Sequence, residues 1–139
     1  MKRIYFFRFM SFSIMGIIFW FSNQDAEESL KQSNFILQYL KEILEIFSLD
    51  VRKLAHFTIY LTLGSCYFLS FKKLNKNAGI LSIILTFLYA CTDEFHQSFI
   101  PGRGPAFKDV TIDTLGGSSG IVILYKFINH YKKAYNQNK

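Results

Sequence analysis

Ala78-Gly79-Ile80-Leu81-Ser82-Ile83-Ile84-Leu85-Thr86-Phe87-Leu88-Tyr89-Ala90-Cys91-Thr92-Asp93-Glu94-Phe95-His96-Gln97 is the stretch that decides the fold. No charge interrupts it before Asp93, after which two acids and a histidine arrive within four residues. A helix crossing a bilayer needs roughly 20 apolar residues at about 1.5 Å of rise each. With the following turn the span runs over Ala78–Ile100, and three further apolar stretches resemble it: Ile4–Phe21, Leu54–Phe71 and Ile112–Ile128. The chain has 139 residues, half of them hydrophobic and 18% aromatic, too much apolar material for a soluble core of this length. The expectation is one all-α domain over residues 1–139, a bundle of four transmembrane helices.

Charge orients the bundle. If the N-terminus is cytoplasmic, the inner segments hold Lys2, Arg3, Arg8, Lys72, Lys73, Lys76, Lys126, Lys132, Lys133 and Lys139, which is ten of the sixteen basic residues and none of the ten acids. This asymmetry predicts four crossings of a cell membrane with both termini inside. The basic excess suits anionic lipid at the inner surface, so no nucleic-acid partner is expected. Ile4–Phe21 begins like a signal peptide, but no small-residue cleavage site follows Trp20 and Phe21, and it reads as a retained helix.

Between the first two spans, Asp25 is placed to cap a helix whose first turn holds Glu27 and Glu28. Ile36, Leu37, Leu40, Ile43, Leu44 and Phe47 then recur at helical spacing, which predicts an amphipathic helix at the outer face, either lying in the membrane interface or lidding the bundle. Cys66 and Cys91 fall at different depths, about 7 Å and 20 Å from the inner ends of their helices by helical rise, so they read as packing residues and not as a disulfide. Gly116 and Gly120 form a G-x-x-x-G face suited to close helix packing.

The outer ends of three spans carry the chemistry. Arg52 and His56 are four apart, Asp93 lies three and four before His96 and Gln97, and Asp109 and Asp113 are again four apart, so each set shares a helix face. Ionisable groups at membrane depth are expensive unless paired or hydrated, which predicts that all three sets face the bundle interior.

Taken together, Phe21-Ser22-Asn23-Gln24, Arg52-Lys53-Leu54-Ala55-His56-Phe57, Thr92-Asp93-Glu94-Phe95-His96-Gln97, Pro101-Gly102-Arg103 and Asp109-Val110-Thr111-Ile112-Asp113-Thr114-Leu115-Gly116 resemble the VanZ-like family, in the family's order and over essentially the whole chain. Asn23 departs from the pattern, standing where a second serine is common. That family consists of small bacterial integral membrane proteins and takes its name from a member associated with resistance to the glycopeptide teicoplanin. The resemblance implies binding or modification of a cell-envelope component at the outer face, lowering glycopeptide susceptibility.

Several readings of the polar residues stay open. In one, Arg52, Lys53 and Arg103 neutralise Asp93, Glu94, Asp109 and Asp113 as a structural network, although such networks stabilise weakly compared with apolar packing. In another, His56, Asp93, Glu94, His96 and Asp113 perform acid–base chemistry, while Gln24, Arg52, Lys53, Gln97, Arg103 and Asp109 hold an anionic substrate. The partner would be a membrane lipid or a lipid-linked cell-wall precursor. Binding without turnover is a third reading. Transport would need further copies of the chain, and a homo-oligomer is compatible with these spans. No cofactor fingerprint is present. His56, His96, Asp93 and Asp113 are suitable metal ligands, but Glu94-Phe95-His96 matches no metal signature and the nearby Arg and Lys weigh against a cation, so no metal is assigned.

Overall fold

A computed structural model describes residues 1–25, 27, 28, 31, 51–104 and 106–137. Among these, four helices and no strand occur: α1 (Lys2–Ser22), α2 (Val51–Leu69), α3 (Lys76–Gln97) and α4 (Phe107–Gln137). The all-helical architecture matches the sequence expectation. By length and hydropathy, α1 and α3 are able to cross a membrane. The other two do not reach the same measure, because α2 carries Arg52, Lys53 and His56 and α4 carries Asp109, Asp113, Lys126 and a polar C-terminal third.

Helix ends follow local chemistry. The Asn75 side chain accepts a hydrogen bond from the Ala78 N–H at 3.0 Å and caps α3, which therefore starts two residues ahead of the apolar run. α3 stops at Gln97, three residues before the expected Ile100, and Ser98 closes it. Pro101 and Gly102 then turn the chain. Gly102 has φ 74° and the Arg103 N–H donates to Ile100 O at 3.1 Å, the geometry of a turn that needs glycine at its third position. α4 is far longer than the expected Ile112–Ile128 segment, since nothing in Asn129–Gln137 breaks a helix. At about 1.5 Å per residue it exceeds the bilayer's hydrocarbon thickness by roughly half.

Beyond α1, the Glu28 N–H donates to Asp25 Oδ1 at 2.8 Å, as the expected cap requires, and Lys31 pairs with Glu27 at 2.8 Å. The amphipathic face from Ile36 to Phe47 lies outside the described residues.

Contacts at the two ends give the directions. Arg3 Nη2 donates to Phe71 O at 2.8 Å, so the start of α1 meets the end of α2. At the opposite end, Gln97 Nε2 donates to Ser22 Oγ at 3.2 Å and His56 faces Asp113. α1 and α3 thus run toward one end of the bundle, and α2 and α4 start from it. The tightest seam lies between α2 and α4. A Cβ on Gly116 would strike Phe57 O, one on Gly120 would strike Leu61 O, and one on Gly64 would lie 2.5 Å from Gly117 O. The G-x-x-x-G face packs as expected, and Gly64 and Gly117 extend it.

The surface is apolar and the interior is mixed. Phe9, Phe12, Trp20, Leu88 and Ile123 are exposed, while Ser82, Thr86, Asp93, Glu94, Gln97 and Asp113 are buried beside Leu63, Phe68 and Ile121. Buried Ser82 and Thr86 each donate to the carbonyl one turn back, at 2.8 Å, which satisfies the hydroxyl within its own helix. Cys66 and Cys91 are free thiols, as expected.

Candidate functional site

The end of the bundle where α1 and α3 finish gathers the polar residues that the sequence spacing singles out. α2 supplies Arg52, Lys53 and His56 from its first two turns; α3 supplies Asp93, Glu94 and Gln97 from its last; α4 supplies Asp109 and Asp113 from its first two. The glycine seam makes this convergence possible, because with backbones in contact even a short aspartate reaches across to the facing helix.

Two chains of contacts organise the centre. His56 Nδ1 lies 3.4 Å from Asp113 Oδ2 in hydrogen-bonding geometry and 3.3 Å from Oδ1, where the pairing is by proximity alone. Oδ1 has no hydrogen-bond partner. On the neighbouring helix, Asp93 Oδ2 accepts from Gln97 Nε2 at 3.1 Å and from the Tyr60 hydroxyl at 3.4 Å, and Asp93 Oδ1 likewise has no hydrogen-bond partner. Asp93 and Asp113 are only 4% and 2% exposed, so their free oxygens do not reach bulk solvent. Tyr60 stacks against the His56 ring at a centroid distance of 6.4 Å, which joins the two chains.

A small pocket opens on this centre, lined by Arg52, Lys53, His56, Asp109, Ile112 and Asp113. Asp109 sits in the first turn of α4, where the positive end of the helix dipole favours a carboxylate. Arg103, on the turn after α3, directs Nη2 toward Phe21 O at 3.5 Å and keeps Nε and Nη1 buried without hydrogen-bond partners. Burial, then the Arg52 charge, lower its pKa from the ordinary arginine value. A guanidinium nonetheless stays cationic at neutral pH.

Other expected site residues stand apart from the pair. Glu94 Oε1 accepts from the Ala106 N–H at 2.5 Å, anchoring the loop that leads into α4. His96 stacks on Phe19 of α1 at a ring-centroid distance of 4.5 Å and keeps Nε2 buried without a hydrogen-bond partner. Gln24 follows the end of α1, its backbone N–H bonded to Phe21 O at 3.3 Å. Tyr60 and Ser22 were absent from the expected site. Tyr60 falls four residues after His56 and eight after Arg52, so spacing puts it on their helical face, while its bond to Asp93 depends on packing between helices. Ser22 had only its place in the Phe21–Gln24 string.

The arrangement is able to move a proton between an imidazole and a carboxylate in a water-poor setting, with cations at the opening to hold an anion. The family model described as VanZ/LLP1 matches residues 7–129. No curated protein and no solved structure is significantly similar to the chain.

Proposed function

Because the chain belongs to the VanZ-like family, we propose that it is a multi-pass membrane protein, with both termini inside, whose polar end binds an anionic envelope lipid or lipid-linked precursor at the outer face. Arg52, Lys53 and Arg103 hold the phosphate or carboxylate of that ligand. The His56–Asp113 pair, whose carboxylate is buried, accepts or donates a proton at its head. One observation carries the reading: a half-buried imidazole paired with a buried carboxylate lines a pocket together with Arg52 and Lys53, in a bundle whose outer surface is apolar. The apolar exterior suits lipid, and Trp20 and Phe21 at the same end suit the interface.

The consequence for the cell is lowered susceptibility to teicoplanin, a lipophilic glycopeptide that works at that face. A sensitive Gram-positive host expressing the chain is expected to be protected, and His56→Gln and Asp93→Asn are expected to abolish protection at unchanged membrane abundance. Protection that survives both changes would remove acid–base chemistry and leave binding alone. No protection from the parent would separate the chain from the glycopeptide phenotype. A purely structural network predicts instead that abundance and protection fall together, and the His56 ring bonded to buried Asp113 is the contact that favours this second reading.

A further inference from the structure

The sequence places His56, Asp93 and Asp113 on three helices, and only the packing of α2 against α3 and α4 brings them to one point. One ligand-type atom from each lies within 4.8 Å of the others, and all three residues are buried or half-buried. Tetrahedral ligands at bonds of about 2.1 Å stand roughly 3.4 Å apart, so side-chain shifts of about an ångström would close the set on an ion. The carboxylates are already arranged for it. Tyr60 and Gln97 both engage Asp93 Oδ2, leaving Oδ1 with no hydrogen-bond partner, and Asp113 likewise keeps a buried Oδ1 without one. Outer hydrogen bonds that hold one oxygen and leave the other available are the usual support of a metal ligand.

We propose that His56, Asp93 and Asp113 form a site for one first-row divalent cation, with zinc and manganese the ions that a mixed imidazole–carboxylate set suits. A dication matches the charge of the two carboxylates and leaves His56 neutral. Three protein ligands leave coordination positions unfilled. The pocket at Arg52 and Lys53 gives access for water or a phosphate oxygen to fill them. The cationic side chains at the opening, which weigh against a bare ion, fit an ion that shares an anionic ligand with them. The proposal makes the His56–Asp113 pair of the envelope reading a set of ligands in place of a proton-transfer pair, and metal content is measured with no lipid present, so the two readings fail separately.

The test uses the untagged full chain in detergent, stripped with a chelator and reloaded with zinc or manganese alone. Elemental analysis is expected to find about one equivalent of one of these ions per chain after washing. Reloading is expected to raise the thermal midpoint. Asp113→Asn and His56→Gln are expected to lose the ion, and His130→Gln, an exposed histidine at the other end of α4, is expected to keep it. Less than about a tenth of an equivalent of either ion in the parent would overturn the proposal, whether or not the variants fold. Equal content in parent and Asp113→Asn would overturn it too. A protein that holds the ion but gives no teicoplanin protection would fail the envelope reading alone.

Discussion

Asp93 Oδ2 is shared by two donors, the Tyr60 hydroxyl and the Gln97 amide, and each holds the carboxylate in place for the other. Removing either leaves the acceptor partly satisfied, so Tyr60→Phe and Gln97→Leu are each expected to lower stability by about 1–2 kcal/mol in thermal unfolding in detergent. The double variant is expected to depart from additivity, because the two donors share one acceptor. Additive losses would mean that the two bonds act independently. At this scale much was legible beforehand. The i, i+4 spacing of Arg52 with His56 and of Asp109 with Asp113 placed each pair on one face, and the structure turns both faces toward the same pocket. Spacing within a helix says nothing of the neighbour across the groove, so it could not tell that His56 pairs with Asp113 while His96 turns to Phe19.

Packing between α2 and α4 rests on glycines, whereas α1 packs through large side chains such as Ile14 and Ile18. In lipid the hydrophobic effect does not drive helices together, so backbone approach and buried hydrogen bonds carry the association. Gly120→Leu and Gly64→Leu are expected to push α2 and α4 apart, costing several kcal/mol and lowering membrane abundance. Gly16→Ala meets nothing within 4 Å and sits inside α1, so it is expected to be neutral or stabilising by up to about 1 kcal/mol. Thermal midpoints of the three variants against the parent check both directions. Gly116 and Gly120 were readable as a packing face from their spacing. Gly64 was not, because a lone glycine in an apolar run carries no periodic signal; its role emerges only when Gly117 is found against it.

For the whole molecule, the distribution of basic residues predicts which end faces the cytoplasm. On a background with Cys66 and Cys91 replaced by serine, Gly104→Cys is expected to react with a membrane-impermeant thiol reagent added to intact cells. Lys73→Cys is expected to react only after permeabilisation. The reverse pattern would invert the proposed orientation. Both positions are exposed and lie at opposite ends of the bundle, so the comparison reads sidedness and not burial.

Composition, hydropathy and charge are properties of residues taken singly or along one helix, and they determined the helical class, the approximate positions of the helices and the polar end of each. The site is a property of distances between helices. Which imidazole meets which carboxylate depends on the depth at which α2 and α4 touch, and glycines along that seam govern it through backbone contact. Only the tertiary structure therefore decided that His56, Asp93 and Asp113 converge, that Tyr60 and Ser22 join their network, and that Glu94 anchors the loop into α4.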